Sequence, residues 1–288
     1  MTDLPALVAA ALAHTDAATL LPARRAAVGA ALAPPVHLIS LLDLGPVPGG
    51  RALHAVVDGA DGVRWGVPAV LDDAGLRRAV AGDGVGAALL ESAGQAGGPE
   101  RALDVDQSND LVVCGDAVIK WLLHPTPTDV GALRLEALAR QGFPGVPALR
   151  AVVRSDGDVI AVATALVAGA VDGWDWMVGD VRSAARSGGA IPLGDAEQLG
   201  RLVADLHIAS AADGIARAGS ADVRAWRDRA ESDLAAAGLT AEQEHDAHRA
   251  LSVIGAAEGT AMIPVHGDLH VGQVLRDDQG ALTLVDFD

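Results

Sequence analysis

His266-Gly-Asp-Leu-His-Val-Gly-Gln-Val-Leu275, followed by Leu284-Val-Asp-Phe-Asp288, is the stretch that decides the reading. Phosphoryl transfer to a hydroxyl needs few protein parts: a carboxylate to orient and deprotonate the acceptor, side-chain oxygens for Mg²⁺, and a cation on the nucleotide phosphates. The H-G-D-x-H loop, the glutamine five residues after its aspartate and the D-F-D on the next strand supply the first two. His266 and His270 stand at i and i+4, a zinc-like spacing. Gly267 disfavours a helix there, however, and no H-E-x-x-H glutamate accompanies them. Both are expected to shape the loop through hydrogen bonds.

The third part comes from composition. The chain has 288 residues, a formal net charge of −17, no tyrosine and one cysteine. Of its 21 basic residues a single one, Lys120, is a lysine. A GC-rich coding bias accounts for the arginine excess, so the position that keeps lysine marks a place where a planar guanidinium fails. The negative charge argues against nucleic acid and against an anionic membrane surface. One cysteine, Cys114, excludes an intrachain disulfide framework and reads as a small buried hydrophobe. The start carries Asp3 and no basic region, so it reads as a mature terminus. No apolar run is long enough to span a bilayer. A cytoplasmic chain without membrane contact is expected.

Outward from the decisive stretch, periodicity gives three units. Residues 1–100 hold one or two short Ala- and Leu-rich helices, a strand at Val36 to Leu44, two strands about the Asp61-Gly62 turn and a short helix near residue 90. Gly94 to Glu100 reads as a linker. Residues 101–171 hold a hairpin at Leu111 to Leu123 with Lys120 on its second strand, a helix that stops at Gly142, and strands about Asp156-Gly157. Residues 172–288 are mostly helical, with Leu199, Leu202, Val203 and Leu206 on one stripe and His207 as a core histidine. Trp174 and Trp176 are expected to pack at the junction.

HGDLHVGQ with VDFD, together with DQSNDLVVCGDAVIKW and ALVAGAVDGWDW, resembles the aminoglycoside phosphotransferase-type branch of the protein-kinase-like fold. Within it, these motifs resemble the actinobacterial maltokinases and glucosamine kinases. Gln273 stands where most members carry asparagine. The resemblance implies an α+β, protein-kinase-like two-lobe fold with an N-terminal cap domain (1–100), a small β-rich nucleotide-binding lobe (101–171) and a helical C-terminal lobe (172–288). It implies ATP and Mg²⁺, with Asp268 as catalytic base and Gln273, Asp286 and Asp288 at the metal. Lys120 would hold the phosphates, with Gln107, Ser108 and Asn109 in the loop above them. Glu136 would pair with Lys120, and the adenine would lie on the backbone around Ala165 and Val167.

The same resemblance ranks the acceptors. VIKW and the short N-terminal region are similar to the glucosamine kinases, so glucosamine, phosphorylated at its 6-hydroxyl, comes first. Maltose comes second, an aminoglycoside third. A non-catalytic nucleotide-binding protein is the alternative from another class. The chain stops on the metal motif itself, so the C-terminal lobe is expected to be incomplete. The acceptor pocket would then lie largely beyond residue 288, with weak Mg-ATP binding and poor transfer. A monomer is expected.

Overall fold

A computed structural model of the protein describes residues 3–22, 32–103, 110–190, 194–212 and 214–287. They form two compact units, Gly194–His266 and the remainder of the described chain.

The larger unit opens with helix α1 (Leu4–Leu12), which carries a proline in its first turn, where the missing N–H has no helical partner to lose. Strands β1 (His37–Val47), β2 (Gly50–Asp58), β3 (Arg64–Asp72) and β4 (Gly75–Arg78) then form an antiparallel sheet in chain order. The Asp61-Gly62 turn joins β2 to β3, with Gly62 at φ +72°, a conformation glycine adopts without steric cost. Helix α2 (Val85–Ser92) follows.

A second sheet, ordered β5-β6-β7-β9-β8, comprises β5 (Glu100–Ala102), β6 (Asp110–Cys114), β7 (Ala117–Thr126), β8 (Leu149–Ser155) and β9 (Asp158–Ala165). Helix α3 (Val130–Arg140) lies between β7 and β8 in the chain. Both hairpins read in the sequence are present.

Strands β2 and β3 are buried on both faces, which is why their sequences run apolar without alternation. On one face Leu53, Ala55, Val57 and Trp65 pack with Val8, Leu12 and Leu20. On the other, Ala52, Val56 and Val70 share a core with Leu89 and Leu90 of α2 and with Ile119, Trp121 and Ile160 of the second sheet. Gly94 to Glu100, expected as a linker, is mostly exposed and is anchored at its end by Glu100. The Glu100 carboxylate accepts the backbone N–H groups of Gly82, Gly84, Gly86 and Ala87 at 2.6–3.1 Å. Cys114 is buried as expected, its thiol donating to Gly98 O at 3.2 Å.

Strand β10 (Val171–Asp172) leads directly into helix α4 (Gly173–Ser187), capped by Asp172, whose carboxylate accepts from the N–H of Trp174 and Asp175. The smaller unit holds α5 (Gly194–Ala211), β11 (Ala216–Arg217), α6 (Ser220–Ala236), α7 (Ala241–Leu251) and β12 (Ala261–Met262). Of the apolar stripe read on α5 only Leu206 is buried, and His207, expected in a core, is half-buried. Strands β13 (Val274–Arg276) and β14 (Leu282–Leu284) return to the larger unit and form a sheet ordered β10-β13-β14. Among the described residues no helix is long and apolar enough to cross a membrane.

Candidate active site

The site begins with the alternation of β7. Ile119 and Trp121 point into the shared core, 0% and 4% exposed, so Lys120 between them faces the other way. There its Nζ forms an ion pair with the Asp286 carboxylate, both side chains being largely buried.

The β13–β14 hairpin delivers Asp286. Val274 pairs with Leu284. The Val285 N–H donates to Gln273 O at 3.0 Å, and the Leu284 N–H to Gly145 O at 2.9 Å. Gln273 and Asp286 are thereby set side by side at one end of the hairpin. Asp286 adopts φ +61°, in the left-handed region. Such a backbone costs about 1–2 kcal/mol for an L-residue, aspartate tolerating it better than most. Lys120 on its carboxylate and the buried Phe287 beside it hold it there.

The loop that carries Asp268 is organised by its second histidine. His270 caps a short 3-10 turn at Val271–Gln273, its Nδ1 accepting the Gly272 N–H at 3.1 Å. The ring proton is left on Nε2, which faces Asp268 Oδ2 at 3.8 Å; the Gln273 amide nitrogen, itself a donor, stands 3.4 Å away. That amide nitrogen in turn donates to Asp286 Oδ2 at 3.5 Å. Gln273 Oε1 is buried without a hydrogen-bond partner. Asp268 itself is open, its side chain 64% exposed.

Helix α4 closes the back of this loop. Trp176 is buried and its Nε1–H donates to Val274 O at 3.4 Å. The Arg276 guanidinium lies 4.6 Å over its ring. The two tryptophans expected to pack therefore divide. Trp176 packs, whereas Trp174 lies beside Gly272 and His270 and stays 58% exposed.

Lys120, Gln273 and Asp286 are thus brought together, with Asp268 in the adjoining loop. Glu136 is a correction. It does not meet Lys120 but makes a two-pronged pair with Arg154 of β8 at 3.1 and 3.2 Å. The physical reason is the register of α3. Ala132 and Leu138 are buried, Ala132 against Leu122, Val159 and Val162, and this turns Glu136 toward the sheet edge. Ala165 and Val167 lie on the strand exit as expected, but the Ala165 N–H is already given to Ala148 O and the Leu166 N–H to Asp116 O, both at 2.8 Å. Gln107, Ser108, Asn109 and Asp288 lie outside the described residues. Asp110, immediately after the first three, forms an ion pair with Arg78 of β4. The sequence reading missed Gly131 and Gly173, in the first turns of α3 and α4. Their only signal was a glycine one or two residues after an aspartate placed to cap a helix.

The chain matches the phosphotransferase enzyme family (APH) over residues 133–288. It is 39% identical to a glucosamine kinase of Streptacidiphilus jiangxiensis, over 96% of this chain and 71% of that protein. It is 36% identical to a glucosamine kinase of Mycolicibacterium smegmatis, over 86% of this chain and 69% of that protein. A solved structure of a glucosamine kinase in complex with glucosamine, ADP and inorganic phosphate superposes with a TM-score of 0.74 at 33% identity, covering 100% of this chain and 72% of that one.

Proposed function

Because the chain belongs to the phosphotransferase enzyme family, we propose that it transfers the γ-phosphoryl group of ATP to glucosamine, giving glucosamine 6-phosphate. The observation that carries this is the meeting of Lys120 with Asp286 and Gln273, next to the loop of an open Asp268. The glucosamine kinases it resembles support the acceptor.

In this reading Asp268 accepts the proton of the sugar hydroxyl as its oxygen attacks phosphorus in line, and the bond to the β-phosphate oxygen breaks. His270, with its proton on Nε2, orients that carboxylate. Lys120 leaves Asp286 and binds phosphate oxygens, a task for a compact ammonium rather than a fork. Asp286 and Gln273 would hold Mg²⁺. The fit rests on the donors: a carboxylate and a buried amide oxygen with no other partner are hard oxygen ligands, and Mg²⁺ takes one or two such groups together with substrate phosphates. When bound, the ion neutralises charge on the transferred group. Asp288 assists at the metal, Gln107, Ser108 and Asn109 cover the phosphates, and Ala165 and Val167 edge the adenine. The chain divides into cap (1–100), nucleotide lobe (101–171) and C-terminal lobe (172–288). It works as a cytoplasmic monomer on small molecules alone.

The test is a coupled assay with Mg-ATP and a sugar panel. ADP release with glucosamine and not maltose, with glucosamine 6-phosphate identified by mass and NMR, is the expected result. Product on maltose alone, or Mg-ATP binding with no product on any sugar, overturns it.

A further inference from the structure

We infer that Gly131 and Gly173 are positioning residues: the first turns of α3 and α4 are seats for the metal arm Val285–Phe287 and for the loop that carries Asp268. The inference rests on the roles given above to Asp286 and Asp268.

Neither glycine has a positive φ, so nothing in the backbone asks for one, and a helix disfavours it. Space asks for it. A methyl built at Gly131 would run into the carbonyl oxygen of Phe287, lying 3.3 Å from the carbonyl carbon and 3.5 Å from Asp129 Oδ1. One built at Gly173 would run into the carbonyl oxygen of Val271, lying 2.9 Å from its carbon. In both cases the main obstacle is backbone, which cannot swing aside as a side chain can. Composition alone does not explain the pair. Gly179, in the same helix as Gly173, has nothing within 4 Å.

The helices are also pinned, so strain would pass to the loops. Asp129 caps α3 through the Ala132 N–H at 2.7 Å, and Glu136 ties its next turn to Arg154. Asp172 caps α4 and pairs with Leu275 across β10 and β13. Phe287 is buried and adjoins Asp286, so a displaced Phe287 carbonyl turns the carboxylate away from Lys120 and Gln273. Val271 stands between His270 and Gln273, so its displacement reaches the histidine that faces Asp268.

The experiment compares the full chain with G131A, G173A and G179A. ADP affinity is measured by calorimetry with and without Mg²⁺, and amide hydrogen exchange is followed at 271–273 and 285–287. G131A is expected to keep the metal-free ADP affinity, lose about tenfold of the gain that Mg²⁺ brings, and exchange faster at 285–287. G173A is expected to exchange faster at 271–273. G179A should match the parent. Unchanged exchange and an unchanged Mg²⁺ gain in G131A overturn the inference. If G131A does not fold, G173A decides at the twin seat. A parent chain whose ADP affinity ignores Mg²⁺ refutes the metal role of Asp286 instead, and the exchange data still settle the seats.

Discussion

Lys120 and Asp286, 166 residues apart in the chain, share one ion pair at the meeting of β7 and the end of β14. In the proposed reaction this pair would supply the phosphate cation and a metal carboxylate, each satisfying the other until phosphates arrive. Removing the cation should cost both nucleotide affinity and rate. K120M is expected to lower kcat/KM for ATP by about 100-fold, the scale of losing one preorganised charge contact. K120R should restore little, because a planar fork does not take the place of a point charge. Steady-state kinetics at varied ATP check this, and a K120M enzyme with parental kcat/KM removes Lys120 from the phosphates.

Asp268 and Asp286 are separable by experiment because they sit on different backbone. D268N should lower kcat by a factor on the order of 10² to 10⁴, the usual worth of a general base. Its Mg-ADP affinity should stay at the parental level. D286N should instead make ADP affinity indifferent to Mg²⁺. Calorimetry beside single-turnover kinetics distinguishes them. A D268N variant that turns over normally sinks the assignment of the base.

The chemistry was legible wherever it lay on a few consecutive residues. HGDLHVGQ, VDFD and the solitary lysine single out Lys120, Gln273 and Asp286, which the fold brings together, without any knowledge of packing. The hairpins were legible because Asp61-Gly62 and Asp156-Gly157 announce their turns. Contacts that depend on helix register were not. Whether Glu136 meets Lys120 or Arg154 depends on which face of α3 buries Ala132 and Leu138, and spacing alone leaves that undetermined. Gly131 was illegible for a related reason: within a helix it reads as a propensity penalty, and its cause is a carbonyl at the far end of the chain.

The Glu136 correction carries its own prediction. The Arg154–Glu136 pair is about a third exposed on each side, so it is screened by water, and E136A should destabilise the fold by about 0.2–1 kcal/mol. Turnover should stay within about twofold of the parent, since no charge on the phosphates is lost. Urea unfolding and an initial-rate assay check both. A large loss of turnover at parental stability would show that the helix carboxylate reaches Lys120 in the working enzyme.

His54 on β2 gives the last test, through pH. It is fully buried, stacked on Trp121 with ring centroids 5.7 Å apart and planes 10° apart, and neither ring nitrogen has a hydrogen-bond partner. Burial holds its pKa down to about 3, from an ordinary 6.5. Between these values the unfolded chain binds a proton that the folded chain refuses, so stability rises with pH across the window. The contribution is complete above pH 6.5 and falls by about 1.4 kcal/mol per pH unit well below it, levelling only near pH 3. H54L removes the proton site together with two unsatisfied polar atoms, so it should be neutral or stabilising at pH 7. Its advantage over the parent should grow by about 1 kcal/mol between pH 6 and pH 5, above the range where most carboxylates titrate. Urea unfolding at these pH values reads the difference directly. Parallel pH trends in the two proteins would mean that the folded chain protonates His54 as readily as the unfolded one. That would require a partner for a ring that now stacks on Trp121 with neither nitrogen hydrogen-bonded.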